Sequence, residues 1–147
     1  MIRPDELFGI DTLKDLDEAQ RGLVSEMLEE RVVMDGKPVF EEGDPGDSAY
    51  FILEGSVRVL RQGDEDGEDE RTLAEIRNGW IVGEMALLDK GPRSASAIAR
   101  GRCRFARLPR EAFEQMLTDH PTAASLILRR LARMLSMRLR RTNSLVT

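Results

Sequence analysis

The chain has 147 residues, 41% hydrophobic and 33% charged, with a net charge of -5; this suits one globular domain that buries a core without staples. One cysteine, Cys103, and one histidine, His120, exclude an internal disulfide framework and argue against a zinc or iron–sulfur site, so no metal and no resident cofactor are expected. No apolar run approaches the roughly 20 residues of a membrane span, and MIRPDELFGID lacks the basic-then-apolar layout of a secretory signal, which predicts a cytoplasmic chain away from membranes.

The first thirty residues read as helix. In DEAQRGLVSEMLEER the apolar positions Leu23, Val24, Met27 and Leu28 recur at spacings of three and four, and Asp17 is placed to cap the start. From Arg31 to Pro109 the texture changes to short β-like runs punctuated by glycine. Eight runs qualify: Arg31–Val33, Pro38–Phe40, Ala49–Leu53, Ser56–Leu60, Arg71–Ile76, Trp80–Val82, Ser94–Ala99 and Cys103–Leu108. Glu54-Gly55 separates YFIL from SVRVL, and a glycine there supplies the positive φ of a tight hairpin. Residues 43–47, GDPGD, form another turn cluster, and the acidic run DEDGEDE at 64–70 reads as a hairpin loop. Many short, closely spaced strands predict a β-roll or barrel-like sandwich.

Helix returns after Pro109, first over Arg110–Leu117 and then in a longer element with Pro121 in its first turn. On the second helix Leu128, Leu131, Leu135 and Leu139 line one stripe, with Arg129, Arg133 and Arg140 on the other side. From Pro121 onward there are six arginines (129, 130, 133, 138, 140, 141) and no acid. A basic tail points to nucleic acid or acidic lipid; its plainer reading is a solvated helix face, which is preferred here.

Residues 83–95, GEMALLDKGPRSA, carry the chemistry. Glu84 can accept a hydrogen bond from a sugar hydroxyl. Arg93 can donate a fork of hydrogen bonds to phosphate oxygens, which a lysine does less specifically. Ser94 adds a hydroxyl donor, and the turn Glu84–Leu88 would aim free N–H groups at the same anion. Gly83 and Ala95 keep side chains out of the way, and Pro92 stiffens the approach to the arginine. A Glu followed nine residues later by an Arg is commonly a surface pair; the whole string between flanking β runs is much harder to reach by chance. Nothing in it forms a nucleophile–base pair, a metal site or usefully spaced carboxylates, so no catalytic residue and no enzyme activity are expected.

This segment resembles the phosphate-binding cassette of the cyclic nucleotide-binding domain family, which includes bacterial catabolite activator-type regulators, protein kinase A regulatory subunits and cyclic-nucleotide-gated channels. VFEEGDPGDSAYFILEGSVRV (39–59) and LPREAFEQML (108–117) are similar to the same family, so the resemblance covers nearly the whole chain. It implies an eight-stranded, jelly-roll-like β-roll with flanking helices, as one domain over 1–147: an N-terminal helical segment over 1–30, the roll over 31–109 with the cassette at 83–95, and C-terminal helices over 110–147. It assigns Glu84 to the ribose and Arg93 with Ser94 to the phosphate, with Gly83, Met85, Ala86 and Ala95 in backbone or lining roles. In catabolite activator-type regulators a Thr-Ser pair after Arg-Leu caps the base; here Arg138-Leu139 is followed by Thr142-Asn143, for which a solvated helix end is the competing reading. The likeness to bacterial members favours cAMP over cGMP as ligand.

Such regulators continue into a winged helix-turn-helix domain, for which 147 residues leave no room. The expectation is therefore a stand-alone sensor whose C-terminal helix moves on binding. It would signal through an effector protein of unknown identity or through a second copy docked on the Leu128–Leu139 stripe. The alternatives are a nucleic-acid-binding regulator acting through its arginine-rich helix, and a ligand-free scaffold roll.

Overall fold

The computed structural model describes residues 1–61 and 71–146, and side chains in all of these except Arg71 and 142–146. The predicted acidic loop at 64–70 lies outside the described residues.

The N-terminal segment holds less helix than its periodicity predicts. Two 3-10 turns, Pro4–Leu7 and Asp11–Leu13, precede a ten-residue helix α1, Glu18–Met27. Asp17 caps α1 as expected. Its carboxylate accepts from Gln20 N at 2.8 Å and the Gln20 side chain accepts from Asp17 N at 2.9 Å, a reciprocal capping box. The turns at Phe8–Gly9 and Lys14–Asp15 interrupt the regular hydrogen bonding that a longer helix would need.

Among the described residues there are six strands, not eight: β1 Glu29–Val33, β2 Pro38–Phe40, β3 Ser48–Arg61, β4 Arg71–Arg77, β5 Ile81–Val82 and β6 Ser96–Pro109. All pairings are antiparallel. The order β1-β6-β3-β4 forms the main path, with β2 also on β6 and β5 also on β3, and the sheet is not closed. The count drops because two pairs of predicted strands are single bent strands. Gly55 has the expected positive φ of 89°, but it serves a bulge inside β3 and not a hairpin. The register against β6 shifts on both sides of Glu54 and then resumes. A Cβ at Gly55 would stand 2.7 Å from Cys103 Sγ, so the facing strand also needs glycine there.

Alternation along β3 and β6 sends side chains to two cores. Phe51, Ala106 and Leu108 join the helical layer with Leu7, Phe113 and Ile127. Tyr50, Ile52, Cys103 and Phe105 fill the roll interior with Val57 and Val82. Burial on both faces explains why β3 begins as an unbroken apolar run. Helix α2, Arg110–Asp119, and helix α3, Pro121–Val146, follow β6 directly, with Pro121 opening α3 as predicted. Leu131 of the predicted stripe is in the core, Leu128 and Leu135 are half-buried against it, and Leu139 is 62% exposed. No helix among the described residues is long and apolar enough to cross a membrane.

Candidate functional site

A cavity of about 990 Å³ lies between the roll and α3. Gly83, Glu84, Met85 and Ala86 line it from one side of the cassette, and Arg93, Ser94 and Ala95 from the other. The structure therefore brings seven of the nine predicted site residues to one space. The side chains of the other two, Thr142 and Asn143, lie outside the described residues; their backbone continues α3.

The cassette is shaped by its glycines. Gly83 has a φ of 74° and opens the 3-10 turn Glu84–Leu87. A Cβ there would meet Arg93 Nη1 at 2.7 Å and the Phe40 ring at 3.0 Å, so glycine is required both for the backbone and for the closeness of the guanidinium. Opposite, the turn cluster 43–47 clamps the backbone on either side of the arginine. Arg93 N donates to Asp44 O at 2.7 Å, Gly43 N to Arg93 O at 2.9 Å, and Gly46 N to Gly91 O at 3.0 Å.

Arg93 is only 7% exposed. Its Nη1 donates to Gly83 O and its Nη2 to Ser48 Oγ, each at a long 3.4 Å, and Asp47 Oδ1 stands 3.8 Å away. Its Nε has no partner among the described residues. The guanidinium lies 4.1 Å over the centroid of Phe40, a favourable but non-directional contact. Burial draws its pKa below the ordinary arginine value, with Tyr50 and Asp47 opposing the shift. A buried cation with weak bonds and an orphaned N–H is a strong attractor for an anion.

Glu84 is equally buried at 7%. Its Oε1 accepts from Arg138 Nη1 at 2.6 Å, across 54 positions of sequence. Arg138 also donates to Met134 Sδ at 3.8 Å. Thus the carboxylate assigned to a sugar hydroxyl is engaged by the C-terminal helix. About two turns earlier on α3, Arg130 makes a two-pronged bond to Asp15, at 2.7 and 2.9 Å, fastening α3 to the N-terminal turns. Arg110 of α2 donates to Gly46 O and, at 3.4 Å, to Ala86 O, tying α2 to the cassette.

Several lining residues escape the sequence reading. Val59, Ile76 and Met137 make an apolar wall suited to a flat base. Their sequence context is that of ordinary strand and helix residues, and it carries no signal of a site. Arg130, Arg133, Arg138 and Arg141 also line the cavity. Arg133 is exposed on the side of α3 away from the leucine stripe, as predicted, and edges the cavity. Four of the six tail arginines thus lie toward the cavity side of α3.

A family model described as the cyclic nucleotide-binding domain matches residues 30–120. The chain is 39% identical over 113 residues to a cyclic AMP receptor protein of Thermus thermophilus, a match spanning 77% of this chain and 50% of the relative. Among solved structures, a cyclic nucleotide-binding domain from Methylobacillus flagellatus superposes with a TM-score of 0.82 at 29% identity, over 95% of this chain and 78% of that one. The regulatory domain of Toxoplasma gondii protein kinase A, solved with cAMP, superposes with a TM-score of 0.73 at 26% identity, over 88% of this chain and 48% of that one. The chain spans half or less of the length of the curated relatives it matches.

Proposed function

The chain belongs to the cyclic nucleotide-binding domain family, and we propose that it senses cAMP in preference to cGMP and has no catalytic role. The single observation that carries this reading is the buried, under-bonded guanidinium of Arg93, lining one cavity with the buried carboxylate of Glu84. The cyclic phosphate supplies the hydrogen bonds that Arg93 lacks, with Ser94 beside it. The ribose 2′-hydroxyl donates to Glu84, and the purine lies against Val59, Ile76 and Met137. Thr142 and Asn143 are assigned to the far edge of the base. The preference for cAMP rests on relatives whose names or bound ligand specify cAMP.

The message is proposed to leave through α3. Arg138 links that helix to the residue that would hold the ribose, so a ligand that favours one helix position shifts the population toward it. A second copy, or an effector protein, would read the change on the surface around Leu128, Leu135 and Leu139. Trp80 is 43% exposed and lines the cavity. Titrating cAMP and cGMP while following its fluorescence tests the reading. The expected result is a saturable change at lower concentration for cAMP; no response to either nucleotide, together with no heat of binding, overturns it.

A further inference from the structure

Ser48 is completely buried, and its hydroxyl is fully committed. It donates to Asp47 Oδ1 at 3.0 Å and accepts from Arg107 Nε at 3.1 Å and Arg93 Nη2 at 3.4 Å. One proton and two lone pairs are thus all used. The carboxylate of Asp47 is shared in the same way, with Arg93 Nη2 3.8 Å from Oδ1 and Arg107 Nη2 3.6 Å from Oδ2. On its remaining side Arg107 bonds to Glu29 of β1. The register places Arg107 of β6 between Glu29 of β1 and Tyr50 of β3, so the strand pairing itself delivers it to this position.

We propose that Arg107 is a positioning residue for the anion site, sharing Ser48 and Asp47 with Arg93 so that Arg93 is held in place without being neutralised. The inference rests on the nucleotide reading above. Two guanidiniums divide one carboxylate and one hydroxyl, and Arg107 holds the shorter contact in each case. Arg93 is left with the longer ones and with donors directed to an incoming phosphate. Without Arg107, Asp47 is released to pair fully with Arg93. A phosphate would then compete with a neighbouring carboxylate for the same N–H groups. Glu29 extends the chain of contacts to β1, so the anion site is also coupled to the strand that follows α1.

Calorimetric titration with cAMP of the whole chain tests this in wild type, Arg107→Ala, Asp47→Asn and the double variant, with melting curves to verify folding. Arg107→Ala is expected to weaken binding roughly tenfold. In the Asp47→Asn background the same change is expected to cost less than about twofold, because the competitor it restrains is gone. Arg107→Lys keeps the charge but not the fork, and is expected to fall between wild type and Arg107→Ala; it serves alone if Arg107→Ala does not fold. Wild-type affinity in the Arg107 variants overturns the inference. So does an equal loss in both backgrounds, which is the mark of a general structural or charge effect. Failure of the nucleotide reading is distinct: wild type itself then binds neither cAMP nor cGMP.

Discussion

Arg138 and Glu84 are joined at 2.6 Å, so the last helix of the chain is fastened to the buried carboxylate of the cassette. Removing Arg138 leaves that carboxylate buried without this partner, which costs about 1–3 kcal/mol. Arg138→Ala is therefore expected to lower the melting temperature by several degrees. Adding Glu84→Ala is expected to restore part of the loss, since the unpaired charge is then gone. A double-mutant cycle in urea measures the coupling; additive losses would show that the pair contributes nothing.

Glu84 is also the residue proposed to read the ribose. Wild type is expected to bind 2′-deoxy-cAMP more weakly than cAMP by about 1.5–3 kcal/mol, the worth of a hydrogen bond to a charged group. Glu84→Ala is expected to bind both about equally. Competition binding of the two nucleotides checks this, and a variant that keeps the full preference would remove Glu84 from the ribose contact.

Gly83→Ala combines a positive φ with a Cβ 2.7 Å from Arg93 Nη1. The backbone term alone is about 1–2 kcal/mol, and the displaced guanidinium should weaken cAMP binding as well. Gly91→Ala is the control. That glycine has no positive φ and nothing within 4 Å of the added carbon, so stability close to wild type is expected. Denaturant curves for the two variants separate the cases.

Acid stability depends in part on a cluster remote from the cavity. Arg104 donates to both oxygens of Glu6, at 2.6 and 3.2 Å, and to Glu30. The bond from Arg104, with one from the Arg3 backbone, holds the Glu6 pKa at about 2 against an ordinary 4.5. A carboxylate with a depressed folded-state pKa contributes stability that is complete above the unfolded value. That contribution is lost as pH falls from near 4.5 toward 2. After allowance for solvent screening it is on the order of 1–2 kcal/mol. Melting temperatures of wild type and Glu6→Gln between pH 2 and 6 should converge at the acid end; a constant gap would show that Glu6 does not titrate as stated.

How much is legible in the sequence follows from the range of each interaction. Asp17 as the cap of α1 and Gly83 at the head of the turn that begins with Glu84 are local arrangements, and both stand where the sequence places them. The two cassette ends converge because residues 91–93 pair with the turn cluster at 43–46. The sequence marks Gly55 as a positive-φ position, which it is, and as a hairpin, which it is not. Composition cannot distinguish a turn from a bulge in a strand whose partner runs past both halves. Arg138 on Glu84, and Arg107 beside Asp47, are contacts across 54 and 60 positions; only the packing of α3 and the register of β6 create them. The apolar wall proposed to hold the base is invisible in the sequence because Val59 and Ile76 look like any strand residues.

Arg93, buried and short of hydrogen bonds, is the proposed anion receptor. Calorimetry with cAMP on wild type and Arg93→Met measures this directly. Wild type is expected to bind one equivalent near the micromolar range, about -8 kcal/mol. The methionine variant fills similar volume without a buried charge, and is expected to fold at least as stably while binding no cAMP. Comparable binding by both proteins would contradict the account.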